Sequence, residues 1–235
     1  MKVLKATDYK NLSQKAATII AAQIIRKPDS VLGLATGSTP EGTYAELIEL
    51  NKQGIIDFAG VSTFNLDEYY GLPCEHPQSY AYYMHQKLFS HVNLAPGNTH
   101  LPSGTASDAQ QECQRFEEHI RQLGGIDLQL LGIGRNGHIG FNEPGESFPA
   151  ATHLTDLAQD TIAANSRFLA PGEKIPTQAL SMGIGTIMLA KSILLIANGP
   201  NKTWALEQTI NGPVTPHVPA SVLQFHQDVT VIYCD

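Results

Sequence analysis

Along this chain the apolar positions fall into two alternating rhythms. Tyr9, Leu12, Ala16, Ile19, Ile20 and Ile24 recur at helical spacing behind Asp8, a residue suited to cap a helix N-terminus. The turn signal Lys27-Pro28-Asp29-Ser30 gives way to a continuous apolar run over 31–35, the pattern of a strand buried on both faces. Thr36-Gly37-Ser38-Thr39-Pro40 follows, with Pro40 suited to the first helical position, then a second helical pattern through Leu47, Ile48 and Leu50. The same reading predicts a strand over 61–66 and helices over 80–92 and from about 107 to 123. Further strands are predicted over 126–133, 192–198 and 228–233, with a helix beginning near Pro200.

Strands alternating with helices imply βαβ units. The expected fold is α/β: a single domain over 1–235, built as a mostly parallel, open, Rossmann-like sheet with helices on both faces. No repeat or linker interrupts it. The least regular stretch runs from 134 to about 176, and a polar connection of that length is either a binding loop or lid, or a solvated surface loop.

Composition narrows the partners. With 42% hydrophobic and 16% charged residues, the 235-residue chain can bury a core and is not a disordered sequence. Lys and Arg total 15 against 22 Asp and Glu, so the net charge of −7 argues against nucleic acid or an anionic membrane as partner. A small phosphorylated ligand needs only two or three placed donors and is not excluded. Cys74, Cys113 and Cys234 lie far apart in no metal or redox spacing, an odd set that suits a reducing compartment. The first residues carry no signal-peptide pattern and no apolar run is long enough to span a bilayer, so the expectation is a cytoplasmic protein.

In parallel α/β sheets, ligands bind at the carboxyl ends of strands, and four polar clusters fall at such ends. Gly37, Ser38 and Thr39 combine a tight turn, two hydroxyls and a helix start, which makes an anion site or simply a capped helix. Asp67 and Glu68 follow a strand directly. Adjacent carboxylates point in different directions, so one can act as a desolvated base on carbon while the other does something else; an exposed turn acid or an N-cap is the plainer alternative. The segment 132–145 carries Asn136, His138 and Glu143 among five glycines, with Ile139 and Phe141 to bury part of it. An imidazole held beside a carboxylate is a general acid/base unit. Arg167 and Lys202 are possible phosphate partners, by fork and by point charge, or else surface charges. The remaining histidines show no metal-ligand spacing, so no metal is expected.

Taken in order, 34–40, 64–71, 137–145 and 165–168 resemble the glucosamine-6-phosphate deaminase (isomerase) family over essentially the whole chain, with Gly137-His138-Ile139-Gly140-Phe141-Asn142-Glu143-Pro144 the most specific part. The resemblance implies conversion of glucosamine 6-phosphate and water to fructose 6-phosphate and ammonia, without a cofactor. It assigns Asp67 as the base between C2 and C1, His138 as the ring-opening acid/base and Glu143 as its support. Glu68 stands beside the base as possible support, and Gly37, Ser38, Thr39, Arg167 and Lys202 hold the phosphate. Asn136 stands where many members have aspartate; it cannot ionise, which limits it to hydrogen bonding.

Allosteric members use basic residues after the Asn-Glu-Pro segment. Here 146–155 contains no Lys or Arg and adds Glu146, and the chain ends at Asp235 without a longer C-terminal segment. The expectation is therefore a monomer or small homo-oligomer without the activator site. Two alternatives are a 6-phosphogluconolactonase-like hydrolase, which would need Asp67 little, and a non-catalytic sugar-phosphate sensor. Asp67-Glu68-Tyr69 and Asn142-Glu143-Pro144 favour the deaminase.

Overall fold

Seven strands pair in parallel throughout to make the main sheet: β1 (Lys2–Lys5), β2 (Val31–Leu34), β3 (Ser62–Asn65), β5 (Thr99–His100), β6 (Leu128–Leu131), β9 (Ser192–Asn198) and β10 (Val229–Cys234). Their order across the sheet is β1-β10-β9-β6-β2-β3-β5. A second, antiparallel sheet joins β4 (Asp67–Tyr70), β8 (Gln178–Ser181) and β7 (His153–Asp156), in that order. The structure is a computed structural model and describes residues 1–158 and 176–235.

The central strands are buried on both faces because helices cover both. All four residues of β2 and of β6 are buried, as is the centre of β9. The helix α1 (Tyr9–Arg26) begins where Asp8 accepts the Asn11 N–H at 2.8 Å, and it packs Leu12, Ala16, Ile20 and Ile24 into the core. It lies beside α2 (Glu41–Lys52) and against β9 and β10. Right-handed crossovers in opposite directions along the sheet place the helices that follow β1 and β2 on one face. The crossover helices α4 (Ala109–Gln122), α5 (Ile184–Met188) and α6 (Thr203–Asn211) lead back towards β6, β9 and β10 and take the other.

The expected α/β architecture is what the chain adopts, with some differences of detail. Pro40 is the residue before α2, not in its first turn; its carbonyl accepts the Tyr44 N–H at 2.9 Å. The helix expected over 80–92 ends early: α3 (Tyr80–Lys87) stops at Leu88, whose backbone leaves helical geometry, and a short 3-10 turn follows. Ser90 Oγ and the His91 ring take the carbonyls of His85 and Gln86, which closes the helix there. The antiparallel sheet was not expected at all. Its strands are four residues long; β7 lies within the irregular stretch and β8 directly follows it, so neither length nor alternation announces them.

Candidate active site

The sheet order places a crevice where ligands of open α/β sheets bind. From β2 the chain winds outward through β3 to β5, then returns to lay β6 on the other side of β2. The loops leaving β2 and β6 therefore diverge, and a cleft opens between them. It has a volume of about 680 Å³ and is lined by the 36–39 loop, Asp67, Tyr80, the 132–138 turn, Phe141 and Lys202. A depression of about 710 Å³ along α4 is larger but shallow, walled by surface side chains such as Arg115, Glu118 and Arg121 that already pair among themselves or with Glu112.

The β2 loop forms one wall. Gly37 has φ +94°, which side-chain-bearing residues rarely adopt. Three tyrosines hold the loop's carbonyls away from the cleft. Tyr44 Oη donates to Ala35 O, Tyr83 Oη to Gly37 O at 2.6 Å, and Tyr9 Oη to Ser38 O at 3.0 Å and Thr39 O at 3.1 Å. Among the described residues nothing accepts the N–H groups of Gly37, Ser38 and Thr39. A loop with carbonyls tied back and N–H groups unspent, opening a helix, is an anion cradle.

Asp67 and Glu68 start β4 after the single residue Leu66, and both are buried, so the exposed-turn alternative is excluded. They face different ways, as adjacent strand residues do. Glu68 accepts three backbone N–H groups, from Tyr69 at 2.8 Å, Tyr80 at 2.9 Å and Ala81 at 2.9 Å, the last two at the start of α3. Those donors oppose the burial that pushes its carboxyl up to about 7. Asp67 lines the cleft, and burial, with the Glu68 charge adding to it, pushes its carboxyl up to about 8. A carboxylate so poorly solvated is a much stronger base than one in water.

The β6 loop carries the second chemical group. His138 Nδ1 lies 3.0 Å from Glu143 Oε1, and Asn136 Nδ2 donates to Glu143 Oε2 at 2.7 Å. The Asn136 side-chain oxygen in turn accepts the His138 N–H at 3.2 Å. One carboxylate thus grips both partners, and with Nδ1 facing it the other ring nitrogen is the one left for a substrate. The imidazole lies directly on Gly134, where an added Cβ would come within 2.4 Å of it. Behind the cluster, Asn142 Nδ2 donates to Ile139 O and Met182 O, and Ser181 Oγ accepts the Phe141 N–H.

Lys202 reaches the cleft from the 3-10 turn Pro200–Lys202 after β9. Burial and the nearby Arg135 charge hold its ammonium below the usual lysine range. The cleft thus unites Gly37, Ser38, Thr39, Asp67, Asn136, His138 and Lys202, with Glu143 behind His138, whereas Glu68 points away to α3. Arg167, with its neighbours 165–168, lies outside the described residues. Sequence reasoning missed the loop-holding hydroxyls of Tyr9, Tyr44 and Tyr83 and the cleft-lining Tyr80, and gave Arg135 no role. Among the described residues no group of His, Cys, Asp or Glu converges as a metal site, and no helix is long and apolar enough to cross a membrane.

The family model for glucosamine-6-phosphate isomerases/6-phosphogluconolactonase matches residues 6–232. A glucosamine-6-phosphate deaminase of Lachnoclostridium phytofermentans is 57% identical over 234 residues, covering 100% of this chain and 99% of its own. That of Halothermothrix orenii is 56% identical, covering 99% and 96%. A solved structure described as a monomeric glucosamine-6-phosphate deaminase superposes with a TM-score of 0.96 at 47% identity, covering 100% of this chain and 97% of the other. A 6-phosphogluconolactonase from Thermotoga maritima shares the fold at a TM-score of 0.77 and 20% identity, over 99% of this chain and 98% of the other.

Proposed function

The chain belongs to the glucosamine-6-phosphate isomerase/6-phosphogluconolactonase family, and we propose how its residues divide the deaminase reaction among them. The enzyme converts glucosamine 6-phosphate and water to fructose 6-phosphate and ammonia in amino-sugar catabolism. The observation that carries the division of labour is one cleft holding a buried carboxylate with no ion-pair partner among the described residues and, separately, an imidazole against a carboxylate that an amide also holds.

The sugar enters as a closed ring with its phosphate against the 37–39 loop, Lys202 and Arg167. His138 takes the O1 proton and returns a proton to O5, opening the ring. Glu143 stabilises the imidazolium formed in between, and Asn136 holds Glu143 in place without exchanging a proton itself. Asp67 then removes the proton from C2 of the open chain; the electron pair of that C–H bond becomes the C1–C2 double bond as the C1=O π pair moves to O1, which takes a proton, giving an enolamine. Proton delivery to C1 gives an imine at C2. Water adds to C2, and the C–N bond breaks as nitrogen leaves with its protons as ammonia, forming the C2 ketone. The remote phosphate supplies binding energy that holds the open chain over the two groups.

The finer features follow from the same reading: a cytoplasmic monomer without an activator site between subunits, its segment 146–155 free of Lys and Arg. Free Cys74, Cys113 and Cys234 fit a reducing setting.

The test is to incubate the protein with glucosamine 6-phosphate and assay fructose 6-phosphate and ammonia together, with 6-phosphogluconolactone hydrolysis in parallel. Equal release of both products and no lactone hydrolysis is the expected result. Asp67→Asn should lower kcat about 10²- to 10⁴-fold, and undiminished turnover in that variant would remove Asp67 from the role of base.

A further inference from the structure

The reaction scheme leaves one charged group of the cleft unused. Arg135 stands at the tip of the turn after β6 and lines the cleft together with Lys202, which arrives from the far side of β9. Neither cation has an ion-pair partner among the described residues. That contrasts with Lys27 and Lys191 on Asp127, Lys87 on Glu41, Arg115 on Glu112 and Arg121 on Glu118. Burial, and after it the Arg135 charge, hold the Lys202 ammonium below the usual lysine range. Two like charges lining one cleft, neither with an acidic partner among the described residues, favour an anion that joins them.

The turn also fixes where Arg135 starts. Gly137 N–H donates to Gly134 O at 3.2 Å, and Gly134 N–H donates to His138 O at 2.9 Å, so residues 134–138 form a closed loop. Arg135 is therefore anchored one residue before Asn136, on the same turn as the ring-opening histidine. Across the cleft stand the unspent N–H groups of Gly37, Ser38 and Thr39.

We propose that Arg135 is a phosphate-binding residue of this enzyme, gripping the substrate's phosphate dianion jointly with Lys202 from the side opposite the 37–39 loop. The proposal rests on the reading of this cleft as a sugar-phosphate site. The fork of the guanidinium takes two phosphate oxygens where the lysine supplies a point charge. Because Arg135 also belongs to the His138 turn, binding the phosphate sets the distance from substrate phosphate to the ring-opening group. Arg135 is exposed at the cleft rim, so its contribution is salt-sensitive.

The experiment compares Arg135→Gln, Arg135→Lys and Lys202→Ala with the parent enzyme. It measures kcat and KM for glucosamine 6-phosphate and the inhibition constant of inorganic phosphate, at low and high ionic strength. In Arg135→Gln, KM and the phosphate inhibition constant should rise together by about 5- to 20-fold at low salt, with kcat within about two-fold. The difference should shrink at high salt, and Arg135→Lys should recover most of it. If Arg135→Gln leaves both constants unchanged while Lys202→Ala raises them, Arg135 has no such role and the phosphate site stands. If neither variant moves them, the phosphate site itself is misplaced and the proposal falls with it. A fall in kcat at constant KM and inhibition constant also overturns it, because Arg135 would then serve only the His138 turn.

Discussion

At the scale of single residues, Asp67 shows how far burial rather than residue type makes the chemistry. Its carboxyl is pushed from an ordinary 3.8 up to about 8 by burial, with the neighbouring Glu68 charge adding to it. In the unfolded chain the same group ionises near its ordinary value, so the folded state holds a proton that the unfolded state has lost. Stability therefore falls as pH rises from about 4 through about 8. Asp67→Asn removes that penalty, and its Tm should exceed the parent's by several degrees at pH 8, the gain vanishing near pH 4. A thermal-unfolding series across this range checks the sign, and activity should move the opposite way. Glu68→Gln offers a second measurement. Removing the neighbouring charge should shift the acid limb of kcat/KM to lower pH, because Asp67 then loses its proton more easily. A Glu68 that only capped α3 would cost Tm and leave the limb in place. The sequence marks both carboxylates as candidates by their place after a strand, yet it does not tell which is aimed at the cleft. That follows from the three N–H donors that α3 and Tyr69 bring to Glu68, a tertiary contact.

At the scale of elements, the long apolar rhythms were legible and the short polar ones were not. The strand over 192–198 and α1 follow from periodicity alone, since each buries a whole face or both. The β4-β8-β7 sheet escapes it: β7 alternates exposed and half-buried residues, and β4 opens with two acids. Tyrosines were the other blind spot. Tyr9 and Tyr83 sit at helical spacing and pack against the core, while their hydroxyls reach out of α1 and α3 to hold the β2 loop. Their working atom is polar at the end of an apolar ring, and periodicity registers only the ring. Tyr83→Phe should free the Gly37 carbonyl and let the loop turn its dipole towards the phosphate. The expected result is a KM raised about 3- to 10-fold with little change in kcat, and a parallel loss of inhibition by inorganic phosphate. A change in kcat alone would instead place Tyr83 in service of the reacting carbons.

At the scale of the whole molecule, the site exists because β6 returns to the side of β2. The clusters after 34, 66, 131 and 198 were legible as strand ends carrying polar residues, but which ends adjoin is a property of strand order. That order also bears on assembly. The loop, the base, the ring-opening cluster and both cleft cations come from one chain. The segment after Glu143, where an activator would have to bind, is spent on packing. Gly145 N–H donates to Pro216 O, the Thr152 N–H and hydroxyl both donate to Glu117, and Gly183 and Gly185 press against Ala151 and Ala150 with no room for a Cβ. Residues 146–155 carry no Lys or Arg and are tied to α4 and α5, so we expect no activator phosphate to bind there. Saturation with glucosamine 6-phosphate should therefore be hyperbolic, sedimentation should give the mass of one chain, and N-acetylglucosamine 6-phosphate should leave half-saturation where it was. Sigmoidal saturation relieved by that sugar phosphate would require a second site and a second conformation. The place to look for them would then be a surface between copies, because Gly145 and Thr152 and the close packing at Ala150 and Ala151 tie this segment to the rest of its own chain.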